Sequence, residues 1–242
     1  MFPLIKAENV NKSFVEDGHK RHVLKDIDLE VTKGEFVMIL GLSGSGKSTL
    51  LRILANLIPP SNGKVSLKEG LTMSFIFQNF ALFPWLNIYD NIDFGLKMKG
   101  LSLKDRHKEV TSQIERMGLQ GFEHSFPREL SGGMKQRVGI ARALAVKPDV
   151  IFLDEPFSAL DSFTATKLRQ ELLQIWQEQN LTLVMVTHLI EEALLLADRI
   201  AVLSQRPAVI EKMMDNPLPR PRNKRSQQFF EMEDKIAGLI KV

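Results

Sequence analysis

The sequence predicts an α/β fold, with a mostly parallel sheet, helices packed on it, an N-terminal antiparallel β portion and an inserted α-helical subdomain. Three observations predict it. The apolar run Phe36-Val37-Met38-Ile39-Leu40 leads into the glycine-rich string Gly41-Leu42-Ser43-Gly44-Ser45-Gly46-Lys47-Ser48-Thr49, which opens onto Leu50–Leu54. Further apolar runs at 150–153, 183–186 and 200–203 are separated by helix-like segments. Between about 88 and 148 the apolar spacing is helical instead.

Taken in order, Ile27, Leu29 and Val31 alternate with charged neighbours and read as a half-exposed strand. Lys33-Gly34-Glu35 turns the chain into the buried strand before the glycine-rich string. The helix after that string is expected to run to Pro59-Pro60, with Ser61-Asn62-Gly63 as a turn. Val65 and Leu67 mark a short strand, and residues 74–77 another, ending at Gln78. In the insertion Ile88, Ile92 and Leu96 share one helical face, and Leu103, His107, Val110, Ile114 and Met117 share another. Later, a helix carries Leu168, Leu172, Ile175 and Trp176 on one side. Strand–helix–strand alternation of this kind implies a parallel sheet. Ligands of such sheets bind beyond the carboxyl ends of the strands, where Gly41, Gln78, Asp154 and His188 fall. The expected organisation is a single domain over 1–242. Its α/β core spans 1–87 and 149–205, its helical subdomain 88–148, and its C-terminal tail and helix 206–242.

Composition narrows the class. With 44% hydrophobic and 25% charged residues the chain can bury a substantial core. No apolar run approaches the ~20 residues that span a bilayer, and Met1–Val10 lacks the basic-then-apolar pattern of a signal peptide. The absence of cysteine excludes disulfides and thiolate metal sites and fits a reducing cytosol. A net charge of +3 is too small to argue for nucleic acid.

The spacing of Gly41, Gly46, Lys47 and Ser48 is that of a phosphate-binding loop. Glycines let successive backbone N–H groups turn inward around a phosphate where a β-carbon would obstruct. The helix that follows adds unpaired N–H groups and the positive end of its dipole. Lys47 is placed to neutralise terminal phosphates and Ser48 to give its hydroxyl to Mg²⁺. Asp154-Glu155 closes the apolar run 150–153. An acid there helps hold Mg²⁺ in phosphate-loop proteins, and Glu155 is then the base that takes a proton from the attacking water. The plainer reading is a pair of acids capping a helix start.

Leu130-Ser131-Gly132-Gly133-Met134-Lys135-Gln136-Arg137 decides between phosphate-loop families. Ser131 can cap a helix running to about Ala145, so that Ser131, Gly132 and Gly133 present a second phosphate-facing amide cluster. With this string the sequence resembles the ATP-binding-cassette (ABC) ATPases, a branch of the P-loop NTPases with a RecA-like core. The resemblance covers almost the whole chain, with its motifs in family order. They are the loop Gly41–Thr49, Gln78, the signature Leu130–Gln136, the pair Asp154-Glu155, Ser158-Ala159-Leu160-Asp161 and the switch histidine His188.

The resemblance implies a head-to-tail dimer with another ABC ATPase subunit, the same or a similar chain. Each ATP would lie between one subunit's phosphate loop and the other's signature. By that likeness Ser43, Gly44, Ser45, Gly46, Lys47, Ser48 and Thr49 cradle ATP, while Ser131, Gly132, Gly133 and Gln136 meet it across the interface. Ser48, Gln78 and Asp154 would hold Mg²⁺, Asp161 would link the two sites, and His188 would hold the γ-phosphate and orient the water. Leu189 stands where the family often has an acid. Phe14 sits where the family stacks an aromatic ring on adenine; the plainer reading is a core phenylalanine.

Asn79–Leu86 is unusually apolar for a loop. It reads either as packing between subdomains or, by the resemblance, as the groove (Phe80–Leu86) that receives a helix of a transmembrane permease. Its Leu-Phe-Pro-Trp, the string Gly133–Leu144 and Glu191–Arg199 resemble the nitrate/sulfonate/taurine-type importer branch, which also includes bicarbonate and pyrimidine-precursor importers. The basic, proline-rich segment Pro217–Arg225 is expected to be a solvated linker. It precedes an amphipathic helix bearing Phe229, Phe230, Ile236, Leu239 and Ile240, and no dedicated regulatory module is expected after it.

The reading is therefore an ATPase subunit at the cytoplasmic face of the membrane, binding ATP and Mg²⁺. It would energise uptake of a small anionic solute through separate permease subunits, with an extracytoplasmic solute-binding protein and no specific nucleic acid. Three rivals stay open at this level. One is an ABC ATPase acting on nucleic acid or ribosomes, whose relatives carry a long coiled coil or two cassettes. Another is an ATP-gated module with negligible turnover, and the last is a kinase, which has no use for Leu130–Gln136.

Overall fold

The computed structural model describes residues 3–16 and 18–240, so Met1, Phe2, Asp17, Lys241 and Val242 lie outside the description. The chain divides into two compact units, residues up to 71 with those from 180 onward, and residues 72–179.

The first unit opens with β1 (Ile5–Glu16) and β2 (His19–Val31), then β3 (Phe36–Leu40), α1 (Lys47–Leu54) and β4 (Asn62–Leu67). The second contains β5 (Met73–Ile76), α2 (Ile88–Met98), α3 (Leu103–Arg116), a 3-10 turn at Pro127–Glu129, α4 (Gly132–Ala145), β6 (Val150–Asp154) and α5 (Ser162–Gln179). The chain returns to the first unit with β7 (Thr182–Thr187), α6 (Ile190–Leu196), β8 (Arg199–Leu203), β9 (Ile210–Asp215) and α7 (Gln227–Ala237). Among the described residues no helix is long and apolar enough to cross a membrane.

In the first unit β1 pairs antiparallel with β2 on one side and β4 on the other, giving the N-terminal antiparallel layer. On β2 the residues Ile27, Leu29 and Val31 are buried and their neighbours exposed, as alternation requires. β3 lies between β7 and β8, parallel to both. Every residue of β3 and β7 is buried, which is why both read as unbroken runs. β8 also pairs antiparallel with β9. In the second unit β5 and β6 pair in parallel, with Met73 opposite Val150. There α2, α3 and α4 pack together, burying Ile88, Ile92 and Leu96 from the first and Val138, Ile140 and Leu144 from the last.

Local expectations fail at five places. α1 stops at Leu54, not at the prolines, because Asn56 takes a left-handed φ of 56° and Leu57 N–H donates to Arg52 O at 2.8 Å. Asn62 and Gly63 belong to β4 rather than to a turn, Asn62 pairing with Asn11. On α3, Leu103 is 77% exposed and His107 is also exposed, so the buried stripe begins only at Val110. Phe229 and Ile236 of α7 are buried, but Phe230 is 53% exposed.

The fifth is the segment Pro217–Arg225, which is not solvated linker. The last carbonyls of a helix have no partners within it, and here this segment, with Asn216 just before it, supplies them for α6. Asn216 Nδ2 donates to Leu194 O and Ala197 O at 2.9 and 3.0 Å. Arg220 Nη2 donates to Leu196 O at 2.8 Å and to Asp198 Oδ1 at 2.7 Å. Arg222 Nη1 reaches Leu195 O at 3.1 Å. Burial, then the charge of Arg220, pushes the Arg222 guanidinium down to about 10, still protonated at neutral pH. Two cations at the negative end of α6 suit its dipole.

Gly63 carries a testable consequence. Its φ is 80°, and a β-carbon there would sit 2.1 Å from Asn9 O, a backbone atom that cannot yield. Gly63→Ala should destabilise the chain by about 1–3 kcal/mol or more, read as a fall of several degrees in melting temperature, whereas Gly70→Ala, with a similar φ but open space, should fall less.

Candidate nucleotide site

The phosphate loop begins where β3 ends. Gly41 N–H donates to Thr187 O at 3.4 Å, which ties the start of the loop to the last residue of β7, one residue before His188. Gly46 precedes α1 with φ 110°, and a β-carbon on it would meet Val23 Cγ1 at 2.9 Å, so strand β2 is pressed against the loop. Leu50 N–H to Gly46 O at 2.9 Å starts the helix, and no acid occupies its first turn, leaving the positive end of the dipole uncompensated. Lys47 is only 4% exposed, and its Nζ donates to Leu42 O at 2.9 Å inside the loop. Ser43 and Gly44 are exposed, Ser48 and Thr49 half-buried, and His188 is exposed with Leu189 N–H held by Thr187 Oγ1 at 3.1 Å. Phe14 is 38% exposed on β1, with Lys12 Nζ 5.0 Å from its ring centroid. This half of the predicted site lies within the first unit.

The second unit holds the other half. Asp154, 2% exposed, ends β6. Glu155 follows with a left-handed φ of 44°, a conformation that costs a non-glycine residue about 1–3 kcal/mol and clusters at functional sites. Ser158 pins that turn, its N–H and Oγ donating to Glu155 O at 3.2 and 3.0 Å. Gln78 Nε2 donates to Ser158 Oγ at 3.3 Å, so Gln78 and the Glu155 turn are joined through one hydroxyl. Asp161 accepts from Thr164 N–H and Phe163 N–H at the start of α5, and these hydrogen bonds, Thr164's first, hold its carboxyl below the usual range. The stabilisation is present at neutral pH and is lost only as pH falls through that lowered value.

Ser131 caps α4 as the sequence predicts, its Oγ accepting from Met134 N–H at 3.3 Å, and the helix ends at Ala145. Gly132 and Gly133 open it. Gln136 does not fit the nucleotide contact expected of it. Its side chain is fully buried and neither amide atom has a partner, so it faces the interior of the unit and not a ligand outside it.

Two residues that sequence reasoning passed over shape the apolar loop 79–86. Asn91 on α2 is fully buried; its Oδ1 accepts from Phe83 N–H at 2.9 Å and its Nδ2 donates to Phe83 O, Leu86 O and Asn87 O. Arg142 on α4 donates to Ala81 O at 2.9 Å and lies 5.5 Å from the Phe83 ring centroid. Burial pushes its guanidinium below the usual range. Thus held from beneath, the loop leaves Trp85 70% exposed, with Phe83 packed on Phe94. A polar residue on the apolar face of α2 was the available signal for Asn91.

Known proteins resemble this chain over most of its length. The ABC transporter family matches residues 24–158. The chain is 40% identical to the nitrate import ATP-binding protein NrtD of Synechocystis over 98% of this chain and 95% of that one. It is 43% identical to the aliphatic sulfonates import ATP-binding protein SsuB of Bacillus cereus, over 96% and 94%. Among solved structures it resembles a dimeric ATP-binding cassette in a post-hydrolysis state bound to ADP and Pi. The TM-score is 0.77 at 35% identity, over 87% of this chain and 98% of that chain. The chain belongs to the ABC transporter family, as one of its ATPase subunits.

Proposed function

We propose that this ATPase energises import of a small anionic solute, of the nitrate, sulfonate, taurine or bicarbonate class, through separate permease subunits. The observation that carries the reading is near-full-length similarity to import ATP-binding proteins for nitrate and for aliphatic sulfonates. Peripheral attachment at the cytoplasmic face, and a solute-binding protein on the other side, complete the proposed assembly.

Within it the residues take these roles. The amides of Gly41–Thr49 and the Lys47 ammonium bind the phosphates of ATP, and Phe14 stacks on its base. Ser131, Gly132 and Gly133 close over the γ-phosphate held by a second subunit, and Asp161 links the paired sites. Glu155 takes the proton of the attacking water as the bond from the γ-phosphorus to the bridging oxygen breaks; the products are ADP and phosphate. His188 orients that water. Ser48, Gln78 and Asp154 offer a hydroxyl, an amide oxygen and a carboxylate, the hard oxygen donors that Mg²⁺ takes. Among the described residues no cluster of His, Asp and Glu forms a metal site by itself, so such a cation would draw the rest of its shell from phosphate and water. Bound there, it would neutralise charge on the phosphates.

The loop Phe80–Leu86 is the proposed permease contact. Mild-detergent purification of the chain from its native membranes, followed by mass spectrometry, should recover a polytopic membrane protein. Making Phe83 and Trp85 polar should cut that recovery about tenfold or more, since an exposed aromatic anchor at an interface is worth about 2 kcal/mol. Recovery of only non-membrane partners would refute the reading and leave the ATPase assignment standing.

A further inference from the structure

His188 stands between a fixed strand and a helix that cannot hold itself. On one side β7 is buried at every residue and paired to β3. On the other, α6 has only seven residues, too few for a helix to persist in water on its own. No side chain caps its start at Leu189. Its far end is where the C-terminal segment closes on it. The four successive carbonyls of residues 194–197 each receive a side-chain donor from Asn216, Arg220 or Arg222. Those donors are themselves fixed. Leu218 N–H donates to Asn216 Oδ1 at 3.3 Å, and Arg222 Nε donates to Leu218 O at 3.2 Å. Asp198 accepts from Arg220 through Oδ1 and from Phe36 N–H through Oδ2, so the clamp is anchored on the first residue of β3. Lys224 pairs with Glu191 in the first turn of α6, and α7 packs against the same helix.

With either guanidinium gone, carbonyls of the last turn lose their donors and α6 frays from its C-terminal end. A helix of about two turns has no interior to stop the fraying short of its first residue. We propose that Arg220 and Arg222 are positioning residues for ATP hydrolysis, holding α6 and, through it, His188. The inference rests on reading His188 as the residue that orients the attacking water. None of these bonds reaches residues 41–49, so the clamp governs turnover and leaves nucleotide affinity to the phosphate loop.

The test is steady-state phosphate release by the full chain with its permease partner, over a range of ATP concentrations. The variants are Arg220→Gln, Arg222→Gln, Arg222→Lys, His188→Ala and His188→Ala combined with Arg222→Gln. Each Arg→Gln change should lower kcat about 10–100-fold, as misplacing a reacting group by about 1 Å does, with KM and ADP affinity unchanged. Arg222→Lys, which keeps a charged donor, should recover part of the rate. The combined variant should be no slower than His188→Ala alone, because the clamp acts through that side chain. A further fall in the combined variant would overturn the proposal, as would wild-type turnover in both Arg→Gln variants. Hydrogen exchange reads the clamp without activity. Amides of α6 should exchange about tenfold faster in Arg222→Gln, those of α1 at the wild-type rate, and unchanged exchange in α6 would overturn the clamp. General loss of protection, the sign of a chain that does not fold, passes the same readings to Arg222→Lys. If His188→Ala turns over as fast as wild type, the reading of the histidine fails instead.

Discussion

Glu155→Gln should lower ATP turnover by about 10²–10⁴-fold, the range a positioned general base supplies, while ATP still binds. The amide keeps the size and hydrogen-bonding reach of the carboxylate but has no basic oxygen to take the water's proton. The backbone around it argues that position 155 is held for chemistry. Its φ of 44° is an arrangement a glycine would adopt more cheaply, yet Ser158 fixes it with two hydrogen bonds to the Glu155 carbonyl, and Gln78 is tethered to the same serine. The check is phosphate release with the permease partner present, alongside ATP affinity by calorimetry. Wild-type turnover no faster than the variant's would make the protein an ATP-gated binding module.

Lys47→Ala should weaken ATP by about 10–100-fold, as expected for loss of charge-assisted contacts worth about 1.5–3 kcal/mol. The ammonium is sealed within the loop and anchored on Leu42 O at 2.9 Å, so it waits where the loop amides converge instead of ranging through solvent. Its removal takes away the central charge of the cradle and also leaves that carbonyl without its donor. Lys47→Arg should rescue little, because a planar fork does not fit a space shaped around a compact ammonium. Calorimetry with ATP and ADP reads the effect directly. An unchanged affinity in Lys47→Ala would mean that nucleotide is held elsewhere.

The parts of this molecule that were legible in sequence are those where one local rule dominates. β3 and β7 are buried on both faces, so burial alone dictates their apolar runs. The turn from β3 through Gly46 into α1 needs glycine for reasons of backbone geometry and close approach to Val23. Ser131 before two glycines and a helical stretch gives a cap whose chemistry is local. Misreadings arise where distant residues decide. Nothing near Asn62-Gly63 announces that β1 pairs with it, and a glycine there serves the contact with Asn9 as readily as it would serve a turn. A proline- and arginine-rich string looks solvated until α6 supplies the carbonyls that Arg220 and Arg222 cap. Leu103 and His107 fit the helical period of α3, but α2 meets the start of that helix with polar groups, Asp93 on Arg106 and the Tyr89 hydroxyl on His107, so no apolar stripe is buried there. Gln136 stands in a diagnostic string, and only the packing of α4 shows its side chain turned inward. Asn91 was passed over for the converse reason: its one signal was a polar residue on an apolar face, while its partners are backbone groups of the loop just before α2.

Uptake tests the central claim most directly. In cells whose own copy of this chain is replaced by Glu155→Gln, initial uptake of labelled nitrate, an aliphatic sulfonate, taurine and bicarbonate would be compared with the parent. Loss of uptake of at least one of these anions, restored by the unaltered chain, is the result expected of an importer ATPase. Uptake of all four at the parental rate would contradict the assignment to this importer branch.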